Sequence, residues 1–166
     1  MLVGNPYKFS LFIQRINEWN VDNLDSYGVI LFSISGFLIP DEIENVCTKR
    51  EAQMLIERLS AIPENKEIFE GDNKDSIEQL LSITFPNDYN KDNDYSFFVT
   101  PEEIADRGFF IFAVRSRDRV RILGTNKLEY DNEASKYRLN KLEVYEALLS
   151  LSEVNELVTR LRKYLE

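Results

Sequence analysis

The apolar residues of this chain fall in short runs, and the longest run, residues 109–114, is only as long as a β-strand. A helix that crosses a membrane needs about 20 consecutive apolar residues. We therefore expect no contact with a membrane and a fold assembled from short elements. A chain of 166 residues, of which 43% are apolar, is suited to a single hydrophobic core, which predicts one domain over residues 1–166.

The first forty residues predict a β-meander. Residues 9–16 and 28–34 are rich in β-branched and aromatic side chains and are too short for surface helices. Ser35 and Gly36 separate the second run from residues 37–39 by a spacing typical of a tight hairpin, and Pro40 follows as a strand terminator. Further upstream, Gly4, Asn5 and Pro6 predict a turn.

Helical periodicity begins near residue 48, where apolar residues recur every three to four positions. Thr48 with Glu51 has the pattern of a capping box for a first helix. Asp75 with Glu78 repeats that pattern before a second helix, and Pro86 would end it. The sequence therefore predicts two successive helices in its central part.

The pattern then returns to strands. Residues 95–99 predict a strand, and Thr100 is the expected cap of a short helical turn that ends near Gly108. Residues 109–115 and 119–123 predict a second hairpin.

The last third of the chain ends in a helix. Residues 141–145 alternate in a way that favours a strand, although the apolar spacing there also fits a helix. Ser152 is predicted to cap the final helix, which has one continuous apolar stripe. Strand runs mixed irregularly with helices indicate an α+β fold, in which a mostly antiparallel sheet built from hairpins carries about three helices.

The chain contains no histidine, which excludes Ser-His-Asp and Cys-His catalytic sites and the usual zinc ligand set. The neighbouring carboxylates Glu102 and Glu103 are better explained by helix capping than by catalysis, because adjacent residues on a helix do not face each other. We expect no catalytic residue and no cofactor. The only cysteine, Cys47, and the lack of a secretory signal at the start indicate the cytoplasm.

Negative charge is concentrated in residues 63–106, which hold twelve acidic and three basic residues. Such a cluster attracts positively charged partners and repels nucleic acids and anionic membranes. A solvated acidic surface that aids solubility is the alternative interpretation. The arginines near the second hairpin, at positions 115, 117, 119 and 121, could grip phosphate, but pairing with the acidic stretch is at least as plausible.

The segment from Asp88 to Asp94 places oxygen ligands as an EF-hand loop does at its first three ligand positions. Asn93 replaces the glycine of the sharp turn, however, and Val99 stands where the bidentate glutamate is needed. The segment is therefore interpreted as a polar surface loop, and no metal site is predicted.

Short motifs over residues 4–124 carry a family resemblance, and in order and spacing they resemble the immunity protein 42 family of bacterial polymorphic-toxin systems. They comprise Gly4, Pro6, Tyr7, Lys8, Phe9, Trp19, Gly28 to Ile34, Gly36, Asp94, Tyr95, Pro101, Glu103, Ile104, Gly108, Phe109, Phe112, Arg121, Ile122 and Leu123. The resemblance implies a cytoplasmic protein that binds and neutralises a cognate toxin domain without catalysis.

Charge and resemblance together suggest a basic toxin, such as a nuclease, whose active site or substrate surface is occluded by this chain. The candidate toxin-binding residues are Glu70, Asp72, Asp75, Asp88, Asp92 and Asp94. A regulatory adaptor that binds another protein would share these features and remains the alternative. The sequence does not indicate an oligomeric state.

Overall fold

The structure, a computed structural model, describes residues 1–20, 26–43, 45–88 and 90–166, and it confirms the α+β fold class. The helices are α1 (Thr48–Ser60), α2 (Lys66–Glu70), α3 (Asn73–Thr84), α4 (Glu102–Ala105) and α5 (Leu151–Leu165). The strands are β1 (Leu2–Asn5), β2 (Phe9–Arg15), β3 (Tyr27–Ile34), β4 (Phe37–Ile39), β5 (Val46–Cys47), β6 (Ile111–Ser116), β7 (Arg119–Thr125), β8 (Tyr130–Asp131), β9 (Lys136–Tyr137) and β10 (Val144–Ser150).

The N-terminal strands form an antiparallel sheet, called sheet 1, in the order β1-β2-β3-β4, with β5 paired to the start of β3. The predicted meander is therefore confirmed. Ser35 and Gly36 form the hairpin turn, and both have positive φ, as the two central residues of a type I′ turn must. The turn predicted at residues 4–6 is present but begins later than predicted, because Gly4 lies within β1 and the Lys8 amide donates to the Asn5 carbonyl at 3.0 Å.

The second hairpin forms the centre of sheet 2, whose strand order is β10-β7-β6, all antiparallel. A third pairing joins β8 and β9 in a short separate hairpin. In β7 every residue after Arg119 is buried, because both faces of sheet 2 are covered. For this reason the sequence of β7 does not alternate between apolar and polar residues but is mostly apolar around one buried arginine, Arg121.

Two apolar clusters lie on opposite faces of sheet 2. On one face, Ala113, Ile122 and Ala147 stand side by side and join the cluster formed with sheet 1, α1 and α5. On the other face, Phe112 and Leu123 contribute to a second cluster with α2 and α3. Sheet 2 is thus the layer that both cores share.

Helix α5 confirms the predicted apolar stripe, and its buried residues are Val154, Leu157, Val158 and Leu161. Its cap, however, is Ser150 and not Ser152. The Ser150 hydroxyl accepts from the Glu153 amide, and the Glu153 carboxylate accepts from the Ser150 amide. The strand before it, predicted at residues 141–145, runs over Val144–Ser150, so the strand interpretation holds, but the strand starts three residues later and ends five residues later than predicted.

The cap signatures predicted for the central helices are wrong, and at α1 the reason is that other contacts engage Thr48 and Glu51. The Thr48 hydroxyl donates to the Ser26 carbonyl, and Glu51 is buried in a charge cluster. Helix α3 begins one turn earlier than predicted, with Asp72 as its cap in place of Asp75.

A short helix, α2, precedes α3 and was not predicted. Residues 95–99 do not form a strand, because only the single bridge between Phe98 and Phe112 pairs them with sheet 2. Thr100 does not cap α4; its hydroxyl accepts from the Ile111 amide and donates to the Ile111 carbonyl.

Candidate functional site

The six predicted acidic residues are all exposed, but the fold divides them into two sets. Glu70, Asp72 and Asp75 lie at the N-terminal end of α3, whereas Asp88, Asp92 and Asp94 follow its C-terminal end. Helix α3 has 12 residues, which corresponds to about 18 Å at 1.5 Å per residue. The structure therefore places the six candidate residues in two sets, near the two ends of α3.

The first set belongs to the turn between α2 and α3. The Asp72 carboxylate caps α3 by accepting from the Lys74 amide at 2.9 Å, and Glu70 lies 3.9 Å from Lys66 in an exposed pair. Carboxylates at a helix N-terminus are stabilised by the helix dipole. Capping of α3 therefore explains why an aspartate stands at position 72, and contact with a binding partner is not needed for that explanation.

Arg121 of β7 holds this turn against sheet 2. The residue is 3% exposed, and its guanidinium donates to the carbonyls of Ile68, Phe69 and Gly71 at 2.8 to 3.1 Å. Its Nε donates to Glu146 at 2.6 Å. Arg121 thus satisfies the last carbonyls of α2, which no helical amide can reach.

The side chains of Arg115 and Arg119, on the same hairpin, also have partners within the chain. Arg115 lies 3.6 Å from Glu64, and Arg119 stacks over the ring of Phe69 at 5.7 Å. The pairing of this hairpin with the acidic stretch, one of the two interpretations of the sequence, is therefore observed at Arg115.

The second acidic set lies in residues 86–94, which we call the acidic loop; its Tyr89 is outside the described residues. Asp88 accepts from the amide and side chain of Asn90 at 3.0 and 3.1 Å, and these bonds hold the pKa of Asp88 below its usual range. Asp94 accepts from the Ser96 amide at 2.8 Å. The Asp94 amide donates to the Ile83 carbonyl, which closes the loop onto α3.

Beside the acidic loop lies a groove lined with aromatic side chains, which we call the aromatic groove. It consists of two adjoining depressions of about 360 and 520 Å³ that share Phe85 and Tyr137 as lining residues. Tyr130 lines the first depression, and Tyr95 and Phe98 line the second. Volumes of this size are typical of binding clefts.

Contacts between rings fix the shape of the aromatic groove. Phe110, fully buried in the second core, packs edge-on against Tyr137 with ring centroids 4.7 Å apart. Phe85 contacts the rings of both Phe98 and Tyr137 at 5.7 and 5.8 Å. Tyr95 remains 44% exposed, so part of the aromatic surface faces solvent.

Charge around the aromatic groove is predominantly negative. Its charged lining residues and those of the acidic loop comprise six acids, Glu78, Asp88, Asp92, Asp94, Glu102 and Asp106, and three bases, Arg58, Lys91 and Lys136. Arg58 is committed to the groove floor, since it donates to the Thr100 carbonyl at 3.2 Å and lies 5.4 Å over the Phe98 ring.

The carboxylates considered for catalysis belong to a charge cluster near α1 and α4. Arg50 pairs with Glu51 at 2.9 Å and with Glu103, and it approaches Glu102 at 3.8 Å. Burial, followed by the neighbouring Glu103 carboxylate, raises the pKa of Glu51 to about 7, whereas hydrogen bonding and Arg50 lower the pKa of Glu103. Two such carboxyls share one proton.

Glu51 is 1% exposed, so water and substrates do not reach it, and the cluster is explained by packing of α4 on α1. The described part of the chain holds no group of three or more Cys, Asp or Glu residues placed to bind a metal ion. Within the same ranges, no helix has the length and apolar character that crossing a membrane would require.

Sequence reasoning missed the aromatic groove. The sequence alone does not separate core tyrosines from interface tyrosines, and only the structure places Tyr95, Tyr130 and Tyr137 along one groove. One local signal was available, since Phe85 and Tyr95 flank an Asn- and Asp-rich loop that was expected to lie on the surface.

Comparison with known proteins supports the fold. A crystal structure of CdiI from Burkholderia dolosa AUO158 is similar to this chain with a TM-score of 0.80, 21% sequence identity and coverage of 99% of both chains. At this identity the likeness concerns the fold alone. No match is found among curated proteins. The family model of immunity protein 42 matches residues 1–164, and this chain therefore belongs to the immunity protein 42 family.

Proposed function

We propose that this chain is an immunity protein that binds a cognate toxin domain and neutralises it by covering the toxin's functional surface. The observation that carries the proposal is the family match over residues 1–164. The likeness to CdiI, an immunity protein of contact-dependent inhibition, agrees with it. The chain acts as a stoichiometric binder in the cytoplasm of the cell that the toxin enters, and no bond is made or broken.

The toxin is expected to carry a basic surface, and a nuclease fits this best. Residues 63–106 hold twelve acids and three bases, and the six predicted site residues in this stretch are exposed. A nuclease must attract phosphate with positive charge, so an acidic inhibitor competes with the substrate for the same field. Complementary charge also accelerates association.

Co-expression with a candidate toxin domain from a neighbouring reading frame tests the function. The chain should restore growth, form a one-to-one complex, and block nucleic acid cleavage by the purified toxin in proportion to its concentration. A toxin with another activity would contradict the nuclease assignment alone. Absence of both rescue and complex would contradict the immunity function, and capture of a different protein would favour an adaptor.

A further inference from the structure

The aromatic groove combines three properties that other exposed surfaces of the described chain do not share. It is concave, it exposes tyrosine rings, and acidic side chains surround it. The outer face of sheet 1 also exposes apolar residues, among them Leu2, Phe12 and Leu38. That face is part of an open sheet, however, and nothing in the structure specifies what would cover it.

Tyrosine is enriched among the residues that dominate binding energy, because its ring gives a large contact area at a low cost in conformational entropy. Tyr95 and Tyr130 are 44% and 50% exposed, yet each contacts a more deeply placed ring. Tyr95 lies 6.1 Å from Phe85, and Tyr130 lies 5.1 Å from Tyr137. The two tyrosines are therefore pre-positioned to bury their remaining surface against a partner.

The charge specifies the chemistry of that partner. Six acids against three bases surround the groove, and one of the bases, Arg58, is already stacked on Phe98. Aromatic faces attract cations, and the attraction grows when the pair is shielded from water. An arginine or lysine side chain with apolar neighbours would satisfy both the rings and the carboxylates.

We propose that the aromatic groove is the surface that docks the toxin, and that its occupant is a toxin segment bearing an arginine or lysine side chain between apolar residues. The proposal rests on the immunity function. Tyr95 and Tyr130 make the direct contacts, together with the carboxylates of the acidic loop. Glu70, Asp72 and Asp75, at the far end of α3, contribute only to the long-range field.

Binding of groove variants to the purified toxin domain, measured by surface plasmon resonance, tests the proposal. Tyr95→Ala and Tyr130→Ala should each raise Kd by about tenfold or more. The matched control is Tyr7→Ala, since Tyr7 is 88% exposed in the turn between β1 and β2, and it should leave Kd unchanged. Circular dichroism melting curves establish that each variant is folded.

Two further variants leave the packed rings intact. Ser82→Arg places a bulky cation in the groove from an exposed position on α3 and should raise Kd by about tenfold or more. Asp92→Lys should slow association several-fold more than Asp75→Lys, although both change the net charge equally.

The outcomes separate the two proposals. If the native chain neither rescues growth nor binds the toxin, the immunity function fails and the groove assignment fails with it. If the native chain rescues growth while folded Tyr95→Ala, Tyr130→Ala and Ser82→Arg variants bind as tightly as the native chain, only the groove assignment is overturned. A larger effect from Asp75→Lys than from Asp92→Lys would move the interface to the other end of α3.

Discussion

Arg121 shows how one buried side chain can fix a turn that has little core of its own. It donates to three carbonyls at the end of α2 and pairs with Glu146. Removing a charged member of such a buried network leaves its partners without hydrogen bonds, which costs more than the net strength of the pair.

We expect Arg121→Met to lower the free energy of unfolding by about 3 to 5 kcal/mol, measured by urea titration. Arg160→Met is the control, because Arg160 makes an exposed pair with Glu156 at 2.7 Å, and its loss should cost no more than about 0.5 kcal/mol. Similar costs for the two variants would mean that Arg121 is not an anchor of the turn.

Glu51 gives the chain a pH-dependent stability. Its pKa is raised to about 7 in the folded state from an ordinary value of 4.5, so the folded chain holds this proton over a range in which the unfolded chain has lost it. The contribution of Glu51 to the free energy of unfolding is fully present below about pH 4.5. It declines as pH rises to about 7, by up to ~1.4 kcal/mol per pH unit.

Glu51→Gln should flatten that decline, because the amide can donate to Glu103 without ionising. Urea titrations of both proteins at pH values from about 5 to about 8 measure the difference. The native chain should lose stability relative to the variant as pH rises. The depressed pKa values of Glu103 and Glu153 act in the opposite direction, below about pH 4.5, and are common to both proteins. Parallel curves would contradict a shared proton.

At the scale of elements, helix α5 tests the corrected cap. Ser150→Ala removes the hydroxyl that accepts from the Glu153 amide and should cost about 1 kcal/mol of unfolding free energy. Ser152→Ala lies within the first turn and should change stability by less than about 0.5 kcal/mol. Thermal melts of the two variants measure the difference, and the reverse order would restore the cap expected from the sequence.

Elements with a regular apolar pattern could be predicted from the sequence. Apolar residues form short or alternating runs between turn residues in β2, β3 and the hairpin to β4. In α5 they recur every three to four positions. Residues 95–99 could not be predicted in this way. Phe97, Phe98 and Val99 are apolar because they are buried over sheet 2, but apart from the single bridge to Phe112 their backbone does not continue a ladder.

The candidate site could be predicted only in its composition. Exposure of all six acidic residues follows from their charge and from turn chemistry. Their separation into two sets depends on where α3 begins, and the capping pattern at Asp75 suggested the wrong position. The aromatic groove depends on the contact between Phe85 and Tyr137, which are distant in sequence. The surface loop between Phe85 and Tyr95 is a local signal, but no local pattern places Tyr137 beside it.

At the scale of the whole molecule, sheet 2 joins two apolar clusters. Because Phe112 and Ala113 are neighbours on β6 yet face different clusters, loss of one cluster exposes one face of the shared sheet. We therefore expect residues 1–166 to unfold as a single cooperative unit.

Urea unfolding followed by Trp19 fluorescence and by far-ultraviolet circular dichroism should give coincident transitions. Leu80→Ala, in the cluster on the α3 side, should lower both midpoints equally while removing about 2 to 5 kcal/mol. Two separated transitions would instead divide the chain into two folding units.

Phe110 separates the residues that stabilise the fold from those that are free to vary at the proposed docking surface. The Phe110 ring is part of the second core and also packs against Tyr137 in the aromatic groove. A substitution of Phe110 that altered the proposed docking surface would therefore also lower the stability of the protein. Apart from Tyr137, the residues of the β8–β9 hairpin, and those of the acidic loop that the structure describes, lie outside both apolar clusters. Substitutions in those two segments can therefore adapt an immunity protein to a new toxin while its fold is retained. Exchanging the two segments between related immunity proteins should exchange the toxins against which they protect.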